Sequence, residues 1–503
     1  MQPREAYDEL VRRVKEEAVL ASCAHVLGWD EETYLPHAGI THRAEQHALL
    51  AGLLHDRATD PRLGELFAAL ERTDLVADPD SAQAVNVREL RRLYDRATRL
   101  PRALVEEFAR ITSVAQREWV TAYEKSDWSL FQPWVEKVVA LKRAEAAALR
   151  PGEDLYETML DEYEPGMTVR QVAALFDALR GELVELVGAI RASSRRPNQS
   201  ILHRIYPLDR QRQFGEAVAA AVGFDFRRGR LDTSPHPFFT SLGPEDFRIT
   251  TRFNVHEFGD GFFGILHEVG HALYEQGLDP AAYGLPMGES VSVGVHESQA
   301  RLWENTVGRS LSFWRHFYPQ AGAFFPEALH DVSLDQFYFA INHVGPSPNR
   351  VRADEVTYNL HILIRFELER ALVAGDLAAT DVPAAWNERY RRYLGVDPAN
   401  DHEGCLQDGH WGGGLIGYFP TYTLGNLFAA QLFDRASIDL GGLDDDFSRG
   451  RFDRLLRWLQ ERVYCHGQRY PAARLIEQAA GAPLTHQPLL AALRRKYGEL
   501  YGL

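Results

Sequence analysis

Cysteine is scarce in this chain. Only Cys23, Cys405 and Cys465 occur in 503 residues, and no two of them have the spacing of a metal clip. So odd and sparse a set makes no disulfide framework and fits a reducing compartment, so a cytoplasmic protein is expected. A run of about 18 apolar residues, which a membrane-spanning helix requires, is also missing. The opening stretch MQPREAYDEL carries charges where a secretory signal has its apolar core. Positive charge is in deficit: 55 Lys and Arg face 71 Asp and Glu, for a formal net charge of −16. A surface of that sign repels nucleic acid and anionic membranes, which removes both as expected partners. Repeats, low-complexity tracts and long polar linkers are absent too. One continuous body over residues 1–503 is therefore expected rather than separate modules.

What is present is mostly helical pattern. Tyr7, Leu10, Val11, Val14 and Ala18 recur at the spacing of one buried helical stripe, and Leu90, Leu93, Tyr94 and Ala97 repeat the pattern. Pro101 allows a new helix through Leu104, Phe108, Ile111 and Ala115. Leu360, Leu363, Ile364, Leu368 and Leu372 predict another that stops at Gly375. The stretch from Leu231 to Asn254 differs. Pro235, Pro237, Gly243 and Pro244 break it, and Phe247 to Phe253 alternates apolar and polar residues, which predicts loops with one short strand. The expected fold is mainly α, with a small sheet.

The chemistry concentrates at His267-Glu268-Val269-Gly270-His271. Two histidines four apart share one helix face and can reach one ion, while Glu268 projects beside the first toward an attacking water. Such a pentapeptide arises by chance in about one chain in twenty of this size, so further ligands are needed. Glu297, 26 residues after His271 in His296-Glu297-Ser298-Gln299, is the candidate third ligand on a returning helix. Two His and one Glu leave a coordination position open, the catalytic rather than the structural arrangement.

Six ordered motifs extend this reading. They are His236-Pro237-Phe238, Asp246-x-Arg248-x-Thr250, the HExxH segment, His296 to Gln299, Asn349-Arg350-x-x-Ala353-Asp354, and Gly404-x-x-Gln407-Asp408-x-His410-Trp411. With them the chain resembles the carboxypeptidase Taq family, metallocarboxypeptidases of the gluzincin group with a neurolysin-like fold. Val269 and Arg352 depart from the residues commoner in that family. The resemblance implies a helical body around a deep active-site cleft, with two helical lobes flanking it, and a homodimer. It also implies peptide substrates cut at their C-termini, and one divalent ion per chain, zinc with cobalt as the alternative. His410 and Tyr422 resemble the late donor pair of related gluzincins, and Tyr418 is the second choice for that role. Arg350 matches the family's candidate for gripping the substrate carboxylate, and Arg248 is a second. The bland alternative for Arg350 is an ion pair with Asp354, four residues on. His236, followed at once by Pro237, is read as shaping a loop that limits the cleft. Two other readings stand beside this one: an oligopeptidase that cuts short peptides internally, and a silent helical binding module.

Overall fold

The stripe that begins at Tyr7 forms one long helix, Pro3–Thr33, in the computed structural model, which describes residues 2–503. Pro3 sits in its first turn, and the Glu5 carboxylate accepts the Gln2 backbone N–H at 3.0 Å. Ala6, Tyr7 and Leu10 bury against Leu63, Leu66, Phe67 and Leu70 of the helix Pro61–Leu70 and Val87 of the helix Ala82–Arg99. Leu90 and Tyr94 pack onto the same cluster. Leu93 does not: it is 51% exposed, because Leu90 and Tyr94, four apart, carry the seam and turn position 93 aside.

The chain divides into two compact units. One comprises Met1–Thr98, Asn198–Ile341 and Leu432–Pro483; the other comprises Arg99–Pro197, Asn342–Gln431 and Leu484–Leu503. Among the described residues, no helix is long and apolar enough to cross a membrane.

In the first unit, the stretch expected to hold one strand holds three. They are β1 (Gly229–Thr233), β2 (Phe239–Gly243) and β3 (Asp246–Thr251), in the order β1-β3-β2. β1 runs parallel to β3, and β2 runs antiparallel to it. The alternation that announced β3 is real, since Phe247 and Ile249 are buried. Its neighbours are five residues each, too short and too polar to show a period, and they form because β3 offers them backbone partners.

β3 lies against the helix Phe258–Gly277, where the Thr251 hydroxyl donates to the Gly261 carbonyl at 3.1 Å. A second helix, Val293–Arg301, crosses the first. Its start is set by Ser292, whose side chain accepts the Val295 N–H at 3.1 Å. The crossing is closest at Gly270, where an added Cβ would stand 2.5 Å from both the Ala300 Cα and the Gln299 carbonyl oxygen. Nothing larger than hydrogen fits there.

The second unit is built on the helices Arg102–Lys125, Trp128–Leu149 and Val169–Ala192, packed with Tyr358–Ala374. Tyr358–Ala374 is buried on nearly every side. Leu360, Leu363, Ile364, Leu368 and Leu372 are all in the core, and the helix ends at Gly375 with a left-handed φ of 88°.

We expect Gly270→Ala to push the two crossing helices apart. Overpacking of this kind costs about 1–3 kcal/mol, and the expected metal ligands ride on both helices. Metal content should therefore fall by at least about tenfold on dialysis against a weak chelator. Full retention of metal would show that the backbones yield without disturbing the ligands.

Candidate metal centre and catalytic site

The crossing brings three expected ligands together. His267 and His271 come from one helix and Glu297 from the other, and they are the group among the described residues whose donor atoms could hold one ion. His267 Nε2 and His271 Nε2 each stand 3.6 Å from Glu297 Oε2. That is too long for a hydrogen bond. It matches the spacing of about 3.4 Å between donors that share one tetrahedral ion at about 2.1 Å. Both histidines are partly exposed and Glu297 is buried, so the donor set is fixed from behind and accessible from one side.

The backing is ionic. Arg301 Nε donates to Glu297 Oε1 at 2.6 Å, leaving Oε2 directed at the histidines. Glu304 Oε2 lies 2.9 Å from His267 Nδ1, which fixes the ring with Nε2 toward the ligand cluster. Arg301 and Arg309 hold Glu304 in turn. Glu304 lies in a π-helical turn, Leu302–Val307, that continues the helix of Glu297. Burial works against charge on Glu304, but Arg301 and His267 outweigh it and keep its carboxyl at about 2. Burial also works against protonation of His267, yet Glu297, Glu304 and Glu268 outweigh it and raise that imidazole to about 9. A cation held by the same atoms would take the place of that proton. His271 is pushed well below its ordinary value, first by burial and then by His296 and His267. His271 Nδ1 is buried without a hydrogen-bond partner of good geometry, although the His296 backbone is close enough to act on its charge. The His271 ring stacks on His296 at 4.4 Å, and His296 Nε2 reaches Glu275 at 3.2 Å. Glu268, 6% exposed, is raised to about 7 by burial.

Gln299 explains the rest of its motif. Its side-chain oxygen accepts the Tyr464 hydroxyl at 2.9 Å, which pins the returning helix to the core.

Two other expected residues also lie in this unit. Arg248, on β3, is paired with Asp246 through two contacts of 2.9 Å and stacks over Trp29 at 4.1 Å. His236 is exposed, and its carbonyl accepts the Ser234 hydroxyl at 2.5 Å.

The second unit collects Arg350, His410, Tyr418 and Tyr422. The Arg350 guanidinium stands 5.2 Å from the Tyr422 ring. His410 is 5.7 Å from Tyr418 and 6.5 Å from Tyr422, ring to ring. The ion-pair partner of Arg350 is Asp408, at 2.7 Å, and not Asp354. The four-residue spacing works only on a helix, and Arg350 sits in a turn ahead of one. Asp354 instead closes the turn ahead of the coming helix by accepting the Val356 and Thr357 N–H groups. Asp408 also accepts Arg365 Nε at 2.6 Å, so two guanidiniums share one carboxylate. Burial opposes its charge, but the two arginines hold Asp408 far below the usual carboxylate range. Burial lowers His410 to about 4, so its ring is neutral at pH 7.

Sequence reasoning passed over Arg301, Glu304 and the role of Asp408. Arg301 stands four residues after Glu297, a spacing that puts it on the same helix face, whereas Glu304 reaches His267 through the π-helical turn, which no local spacing announces.

Replacing His271 by Ala should abolish stoichiometric metal in elemental analysis. Glu304→Gln should keep the fold and weaken metal affinity by about 10- to 100-fold, because the outer partner of a ligating imidazole contributes about that much. Unchanged affinity in Glu304→Gln would mean that His267 is oriented by packing alone.

Comparison with known proteins agrees with this geometry. The family model described as carboxypeptidase Taq (M32) metallopeptidase matches residues 9–497. The Thermostable carboxypeptidase 1 of Thermus thermophilus is 48% identical over 511 residues, covering 100% of each chain. Carboxypeptidase 1 of Bacillus subtilis is 37% identical over 494 residues, covering 98% of this chain and 97% of its own. The crystal structure of an M32 carboxypeptidase from Deinococcus radiodurans matches with a TM-score of 0.96 at 43% identity, over 99% of this chain and 100% of that one. With the ligand cluster in place and the match running nearly end to end, the chain belongs to the carboxypeptidase Taq (M32) family of metal-dependent carboxypeptidases.

Proposed function

We propose that this carboxypeptidase removes single residues from the free C-termini of peptides, with broad sequence preference, and that Glu268 is its general base. The observation that carries the reading is the ligand set itself: His267, His271 and Glu297 converge with one side accessible, and the buried Glu268 is next in sequence to one of them. A mixed imidazole–carboxylate set of three suits zinc, with cobalt as the alternative ion. When bound, such an ion supplies a Lewis acid that makes water acidic near neutral pH.

The residues then divide the work. Glu268 takes the proton of the attacking water and returns it to the leaving amine, the two halves of general acid–base catalysis by one carboxyl. His410, neutral at pH 7, has one N–H to give, and it donates with Tyr422 to the oxygen that gains charge during attack. Tyr418 is the alternative donor. Arg350 grips the terminal carboxylate. The support is electrostatic: Arg350 and Arg365 bring two positive charges to the single negative charge of Asp408, so the cluster keeps a net positive charge for an anionic group. Arg248, already held by Asp246, lines the site more than it anchors, and His236 shapes the loop before β2. We infer a cytoplasmic homodimer, the location from the three free cysteines and the dimer from the family resemblance.

Two measurements test this. Glu268→Gln should keep its metal and lose about 10²–10⁴-fold in kcat, since an amide cannot accept the proton. Substantial turnover by metal-loaded Glu268→Gln would move the base elsewhere. The second compares a short peptide acid with its C-terminal amide. A charge-assisted hydrogen-bonded pair is worth about 1.5–3 kcal/mol, so the acid should be preferred by about 10- to 150-fold in kcat/KM. Arg350→Ala should erase most of that preference. Equal rates on acid and amide in the parent enzyme would favour internal cleavage of short peptides instead.

A further inference from the structure

The segment from His410 to Tyr418 has no regular secondary structure, yet it carries His410, given a donor role above, and Tyr418, the alternative to Tyr422. Loops of this kind hold a side chain precisely only if something ties them down. Its own backbone turns close it partly, with the Leu415 N–H donating to the His410 carbonyl at 2.9 Å, and one buried side chain ties it to the rest of the unit. Glu369, 1% exposed, lies on the helix Tyr358–Ala374. Its Oε1 accepts the indole N–H of Trp411 at 2.9 Å, and its Oε2 accepts the backbone N–H of Gly417 at 3.1 Å. Tyr156 supplies a third donor, its hydroxyl reaching Oε2 at 2.8 Å. Trp411 follows His410, and Gly417 precedes Tyr418. One carboxylate therefore closes the loop at both ends, immediately inside the two residues of interest.

The surroundings leave Glu369 little other purpose. It makes no direct ion pair, and Arg365, one turn earlier on the same helix, is committed to Asp408. A carboxylate buried without a paired cation is costly unless donors surround it, and these three donors do so. The loop can approach closely because Gly417 adopts a left-handed φ of 86°, and a Cβ there would stand 2.9 Å from the Leu160 nitrogen. The Trp411 ring is further enclosed by Trp128 and Trp386, each 6.4 Å away edge to face. Arg365 and Glu369 thus reach the loop from one helix face, the first at Asp408 and the second at Trp411 and Gly417.

We propose that Glu369 is a positioning residue that sets the orientation of His410 by clamping the 411–417 loop. The proposal rests on the reading of His410 as a hydrogen-bond donor in catalysis.

The test is a double-mutant cycle on the metal-loaded enzyme. Glu369→Gln preserves shape, but its amide nitrogen must face one of the three donors, so the clamp opens at one end. In the parent, kcat should fall by about 10- to 100-fold while KM moves less than about threefold, with metal content unchanged. In a His410→Ala background, where kcat is already about 10²–10³-fold lower, the same change should cost less than about threefold. Losses that multiply in the two backgrounds would show a general structural role and overturn the proposal. So would an unchanged kcat in the parent. If His410→Ala alone leaves kcat intact, the donor role fails first, and that outcome is recognisable because it needs no change at Glu369. Should Glu369→Gln fail to fold, Trp411→Phe keeps an aromatic ring there while removing the indole N–H to Oε1, at the cost of some buried ring volume, and the same comparison decides.

Discussion

The metal centre depends on how closely two helix backbones approach. The helix that carries His267 and His271 meets the one that carries Glu297 at Gly270, where even a methyl group would touch main chain. Only at that distance does a side chain as short as glutamate reach both imidazoles from a separate helix. The residue between the two histidines with no side chain at all is therefore the one that allows a third ligand. The sheet supports the same arrangement from the other side, because β3 holds the first helix through Thr251 at Gly261.

Each unit repeats one electrostatic device. In the first, Arg301 is bound by Glu297 and Glu304, so a cation steadies two carboxylates that lean toward imidazoles. In the second the signs are exchanged, and Asp408 is bound by Arg350 and Arg365. Both clusters are largely removed from water, where breaking one partner would leave a buried charge unpaired. The first steadies carboxylates so that their remaining oxygens face the imidazoles, and the second leaves two guanidiniums on one carboxylate, a positive surplus.

Much of this was legible in the sequence. His267, Glu268 and His271 follow from helical spacing, and Glu297 from a gap long enough for one turn and a returning helix. The helix ending at Gly375 was readable because its apolar residues recur with the right period. What resisted reading is non-local. β1 and β2 exist by pairing with β3, not by any pattern of their own. The partner of Arg350 lies 58 residues away at Asp408, whereas local spacing pointed to Asp354, which closes the turn ahead of the next helix. Leu93 shows the same limit within a helix, since periodicity names a stripe but not which edge of it the neighbours cover.

The π-helical turn at Leu302–Val307 gives chain length itself a part in the metal site. A wide turn holds more residues than the α-helical turn it replaces, and each residue of an α-helix rotates the chain by about 100°. A chain one residue shorter in this segment would close into ordinary helix and swing whatever follows the deletion about a third of the way around the axis. A deletion ahead of Glu304 would carry it away from His267, and one after it would carry Arg309 away from Glu304, with every ligand still present in the sequence. Related chains that keep all three ligands but differ in length here would be expected to hold their metal by a different outer shell.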